Sequence, residues 1–130
     1  MINILQLVKE PKDFDTMVSR KTGAIDFIVE GVVVNKKSGK GYNVEVHMDT
    51  KKLEKTSNLK VACSCDDFQY RWAYVLFQKG ALLNPRKYVL EPPKKTNPDQ
   101  NINACKHIHT FLKVELDKSL KTFSNKKGSL

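Results

Sequence analysis

Two short pairs of soft side chains, Cys63-Ser64-Cys65 and Cys105-Lys106-His107, constrain this chain more than any other feature. Each pair is a ready chelate, and folding need only bring the two together. Zinc favours tetrahedral thiolate and imidazole donors, and a Cys₃His set leaves no position open for a catalytic water. The pairs therefore predict one structural Zn²⁺ held by Cys63, Cys65, Cys105 and His107. His109 falls on the same helical face as Cys105 and offers a second way to complete the set. Three cysteines cannot all pair internally, and Cys63 and Cys65 are too close for an unstrained bridge. A reducing, intracellular setting fits better than a disulfide framework.

A metal staple suits the size of the chain. Its 130 residues fill one domain, since domains commonly hold about 100 to 150 residues. With 40% apolar and 28% charged residues the core is modest and gains from a metal. The net charge of +9 favours acidic partners, nucleic acid or a carboxylate-rich protein surface. Only three of the 23 basic residues are arginines, so the field is carried by lysines that attract phosphate without reading bases. The apolar start, Ile2 to Val8, has no basic segment ahead of it and is broken by Asn3 and Gln6. It is neither a secretory signal nor a membrane span.

Patterning predicts an α+β fold. Ile2 to Val8 reads as a strand or the start of a helix, and Asp13 or Asp15 as the cap of a helical turn through Val18. Residues 1–23 form an N-terminal extension on this reading. Ile25, Phe27 and Val29 alternate with neighbours of the other face before Val32, Val33 and Val34, predicting one strand over residues 24–35. A turn at 36–41 leads to a second strand carrying Tyr42, Val44, Val46 and Met48, and Leu59 to Cys65 makes a third. The result is a three-stranded antiparallel meander packed with two helices around the zinc site. Asp66 or Asp67 caps the first helix, which buries Phe68, Trp72 and Val75 or Leu76 and stops at Gly80. Residues 81–104, with four prolines, read as a long surface loop. The second helix opens at Cys105 and its apolar stripe ends near Leu120, leaving 121–130 as a basic tail.

The spacing C-x-C, gap, C-x-H at Cys63, Cys65, Cys105 and His107 resembles the SWIM zinc finger over about residues 24–120. That resemblance implies zinc on those four residues and a role in DNA binding or protein contact. The string from Cys63 to Arg71, with a Pro- and Asn-rich insert ending in Cys105-Lys106-His107, is similar to short stand-alone versions encoded by tailed bacteriophages. A phage structural or accessory protein, in the host cytoplasm or the virion, is the setting this implies. The gap of residues 66–104 is longer than usual in the family. It leaves the zinc site intact, because closure entropy rises slowly with loop length.

No catalytic group is argued. His47 is an ordinary strand residue with no carboxylate or nucleophile placed beside it by the sequence, and the position of Asp66 and Asp67 before a helix favours capping over catalysis. Tyr70, Tyr74 and Phe77 are left over from the buried stripe and are candidates for contacting another protein. Lys36, Lys37 and Lys40, Lys51, Lys52 and Lys55, and Lys94 and Lys95 are candidates for a phosphate-facing surface. The expected function is a noncatalytic zinc module that mediates protein assembly, with nucleic-acid binding as its rival. No membrane partner is expected.

Overall fold

The computed structural model describes residues 2–7 and 15–128. A short helix α1 (Ile4–Leu7) precedes four strands, β1 (Thr16–Ile25), β2 (Ile28–Asn35), β3 (Gly41–Met48) and β4 (Leu59–Cys63). A π-helical turn, Phe68–Trp72, runs into α2 (Ala73–Gln78), and α3 (Lys106–Gly128) closes the fold. The sheet is an antiparallel meander in the order β1-β2-β3-β4. The fold class is α+β as expected, but the sheet has four strands and not three.

The extra strand has two origins. Residues 16–18, read as helical, begin β1, and the single strand read over 24–35 is broken by a turn at Asp26 and Phe27. Ile25 pairs with Ile28 across that turn, so the alternation of Ile25, Phe27 and Val29 spans two strands. Of the three, Val29 is buried while Ile25 and Phe27 stand exposed. Of the two proposed caps, Asp15 lies beside the strand, its carbonyl accepting from Lys36 N–H, and Asp13 lies outside the described residues.

One face of the sheet carries the core. Val29, Gly31 and Val33 stand opposite Val46, Val44 and Tyr42, which adjoin Val61 and Cys63. Ile108, Phe111 and Leu112 of α3 cover this face and are fully or almost fully buried. The outer edge of β4 is also covered. Ile2 bridges Leu59, and Leu82 bridges Val61 in parallel. Residues 81–104 are thus not a loose excursion: Ala81, Leu82 and Leu83 are buried at the sheet edge. Gly80, at φ +67°, ends α2 in a Schellman arrangement, with Ala81 N–H on Leu76 O at 2.8 Å and Gly80 N–H on Phe77 O at 3.0 Å. The backbone at 121–128, read as a tail, continues α3.

Asn97 fastens the rest of the insert. Its amide donates to Arg71 O (3.2 Å) and Asn101 O (3.0 Å), while its Oδ1 accepts from Asn101 N–H (3.0 Å). Thr96 adds a hydroxyl bond to Tyr70 O at 2.6 Å. Asn97→Ala leaves these buried groups without partners, so a loss of about 1 to 3 kcal/mol is expected in chemical denaturation. Thr96→Ala, at an exposed bond, costs less in the same assay.

Candidate metal centre

Cys63 ends β4 on its core face, and Cys65 follows after one bend. Ser64, between them, points the other way and is tied to β3: Asn43 N–H donates to Ser64 Oγ (2.9 Å), and Ser64 N–H donates to Asn43 O (3.1 Å). Cys65 then starts the helical segment. Its Sγ accepts the Phe68 N–H at 3.3 Å, the i, i+3 geometry of an N-cap with sulfur in place of oxygen. Neither Asp66 nor Asp67 makes the capping bond expected of it. Asp67 is itself helical and receives Trp72 Nε1–H (3.2 Å) and Arg71 Nε–H (3.1 Å). Cys105 stands at the entry to α3, where its carbonyl accepts from His109 N–H, and His107 is in the first turn.

The two pairs meet. The ligand atoms of Cys63, Cys65, Cys105 and His107 all lie within 4.8 Å of one another, and all four residues are buried. A tetrahedral zinc with bonds of about 2.3 Å to sulfur would hold its sulfurs about 3.8 Å apart, so shifts of an ångström or less close the set. His107 tests the fit independently. Both ring nitrogens are buried and have no hydrogen-bond partner, a costly state for a polar ring that coordination would relieve. Four buried side chains are thus close enough to hold one metal ion. Among the described residues no other group of His, Cys, Asp and Glu has this geometry.

The choice between histidines follows from their partners. His109 Nε2 is bonded to Asn103 Oδ1 at 2.6 Å and the residue lies outside the cluster, with burial lowering its pKa. Three aromatic groups round the centre were not among the site residues expected from the sequence. Tyr42 lays its ring 4.3 Å from that of His107, Tyr88 donates its hydroxyl to Cys63 O at 3.3 Å, and Phe68 packs on Tyr88. Tyr42 carried a signal, since it sits on the same strand face as Val44 and Val46. Tyr88 carried none.

Crowding of the thiols governs their protons. Cys65 is held well below the usual thiol range, first by the Cys105 thiol and then by that of Cys63, which both hydrogen-bond to it. Cys63 also accepts from Cys105, but its bond to Cys65, burial and the Cys65 charge outweigh this and push it up to about 12. Burial first, then its bonds to Cys63 and Cys65, raise Cys105 well above the normal value. The raised thiols of Cys63 and Cys105 favour their protonated forms, and a metal that takes three thiolates expels those protons. Affinity should rise with pH and fall as pH drops, by about a hundredfold per pH unit when two protons leave. Competition against a chelator at several pH values reads this slope directly.

The remaining candidates are dispersed. Tyr70 and Phe77 are 62% and 46% exposed, whereas Tyr74 is half-buried and its hydroxyl accepts from Gln78 Nε2 at 2.8 Å. All eight lysines are exposed. Lys36, Lys37 and Lys40 occupy the β2–β3 turn, whereas Lys51, Lys52 and Lys55 lie in the β3–β4 connection at the other end of β3, roughly 25 Å away for eight residues of strand. Lys94 and Lys95 are in the insert. Lys37 pairs with Asp15 at 3.0 Å, and Lys40 lies over the Tyr42 ring. The clusters do not form one continuous surface. His47 does have a carboxylate beside it, Glu45 Oε1 at 2.8 Å, as two positions along one strand face allow. No described helix is long and apolar enough to cross a membrane. No protein family, curated protein or solved structure matches the chain.

Proposed function

We propose that this chain is a noncatalytic SWIM-type zinc module that holds a protein partner within a larger assembly, such as a phage structural or accessory protein. The observation that carries the reading is a buried, closed donor set on the same segment as exposed aromatics: Cys65 opens the helical stretch on which Tyr70 and Phe77 stand in solvent. Cys63, Cys65, Cys105 and His107 would hold one Zn²⁺, tying β4 to the start of α3 and fixing the angle of that stretch. Four protein donors leave zinc no water to activate, which supports a structural rather than a catalytic ion. Large exposed aromatics are the residues that anchor protein contacts best.

The experiment is sedimentation of the chain from its native source. A chain in an assembly travels far ahead of its own 14.8 kDa, and the double substitution Tyr70→Ser, Phe77→Ser releases it while zinc content and melting stay unchanged. Sedimentation as a lone monomer, or an assembly indifferent to both substitutions, removes the protein-docking reading. Metal analysis of the untagged protein tests the zinc separately.

A further inference from the structure

The end of the sheet away from the cysteines holds a second site. A cleft of about 280 Å³ opens between the β1–β2 turn, the β3–β4 connection and α3. Lys21, Lys51, Lys52 and Lys118 converge on it, over an apolar floor that includes Ile28 and Met48. Two carboxylates, Asp26 and Glu115, also line it and leave an excess of positive charge. Glu115 is only 6% exposed. Its Oε2 holds Lys21 Nζ at 2.9 Å, while its Oε1 accepts no hydrogen bond and has Lys118 Nζ 3.7 Å away.

The lysines sit on an ordered loop. Asn58 clasps Asp49 through its backbone N–H (2.9 Å) and its side chain (2.8 Å), and these bonds hold the Asp49 carboxyl below its usual range. Thr50 Oγ1 donates to Lys52 O at 2.6 Å, and Ser57 Oγ accepts from Glu54 N–H at 2.9 Å. Leu53 is buried beneath. Lys51 and Lys52 are therefore presented from a fixed backbone, and little ordering of that backbone opposes ligand binding.

Phe27 supplies the independent observation. It occupies the second central position of the β1–β2 turn at φ +74°, a left-handed conformation that strains a bulky side chain. Glycine or asparagine is the ordinary occupant of such a position. The backbone is clamped there: Phe27 N–H donates to Lys51 O (3.2 Å), and Phe27 O accepts from Met48 N–H (2.9 Å). Phe27 is 44% exposed, so much of this large apolar residue is open to solvent. Its chain neighbours Asp26 and Ile28 line the cleft on either side.

We infer that this end of the molecule binds single-stranded nucleic acid, with phosphates on Lys51, Lys52 and Lys118 and a base stacked on Phe27. Sites that combine an aromatic platform with a basic groove bind single strands with little regard to sequence. Lysine without arginine at the cleft matches phosphate contact without base reading. The inference is independent of the protein-docking reading, since none of the four metal ligands lines this cleft and neither does Tyr70 or Phe77.

Fluorescence anisotropy of a labelled mixed-sequence single strand, titrated with the full zinc-loaded chain at low salt, tests it. Binding should weaken with salt, with a log–log slope of about −2 for three phosphate contacts on a single strand. Phe27→Gly should lower affinity about tenfold or more through lost stacking. The same change should leave the melting temperature unchanged or higher, because glycine accepts the turn conformation without strain. Lys51→Ala with Lys52→Ala should weaken binding at least as much, and Lys36→Ala with Lys37→Ala, at the opposite end, should leave it unaltered. Absence of binding overturns the inference. So does equal loss from both lysine pairs, tighter binding of duplex than of single strand, or full affinity in Phe27→Gly.

Discussion

Cys105→Ser abolishes the cooperative thermal transition of the C-terminal half of the chain. Cys105 is 1% exposed and stands in the same buried cluster as Cys63, Cys65, Phe68 and Ile108, where it couples the sheet to α3. Metal binding by structural zinc sites is worth about 10 to 16 kcal/mol in small peptides. A domain of this size has a net stability of about 5 to 15 kcal/mol, so losing one of four donors removes a term as large as the whole margin. Circular dichroism melts with and without a strong chelator show the effect. Wild type loses its transition on chelation, whereas Cys105→Ser melts like the chelated protein and ignores the chelator. His107→Ala behaves in the same way, while His109→Ala keeps its metal, although it loses the Asn103 bond. An unchanged melt in Cys105→Ser and Cys63→Ser would show that the thiols are ordinary core residues.

The same contrast explains what the sequence could and could not convey. The cysteine pairs were legible because chelate spacing is a local property, and the only remaining question was whether folding would join them. Strand β1 was illegible for a physical reason. It is an edge strand interrupted near Val18/Arg20 and Lys21/Gly23, and only Thr16 is buried along it, so no two-residue period survives in Ser19, Arg20, Lys21 and Thr22. The apolar residues that remain at its end, Ile25 and Phe27, are exposed, and they simulated a strand running through a turn. The insert misled in the opposite direction. Its prolines and asparagines did signal irregular backbone, but irregular backbone still packs where Ala81, Leu82 and Leu83 form an apolar run and Asn97 serves the carbonyl of Arg71. The Asp67 cap failed because Arg71 and Trp72 compete for the carboxylate and a cysteine sulfur takes the helix-start amide.

Phe111→Ala carries the second large effect, a loss of about 3 to 5 kcal/mol. Phe111 is fully buried on α3, and the sheet is shaped to receive it: a Cβ built on Gly31 of β2 would fall 2.6 Å from Phe111 Cε1. The glycine therefore makes room for the ring, and removal of the ring opens a cavity over a strand position that has no side chain to refill it. The neighbouring Ile108 and Leu112 are fixed by their own contacts in the core. The reciprocal change, Gly31→Ala, overpacks the contact, because the added carbon also lies 2.7 Å from the backbone Arg20 O, which cannot swing aside as a side chain can. Overpacking of this sort costs about 1 to 3 kcal/mol. Combining the two separates the steric partners. Phe111→Ala relieves the clash with the ring but not the clash with Arg20 O, so Gly31→Ala should remain destabilising in the Phe111→Ala background, though less than in wild type. Urea denaturation of the four zinc-loaded proteins supplies the double-mutant cycle. A coupling of zero would show that α3 does not rest on Gly31 through this ring.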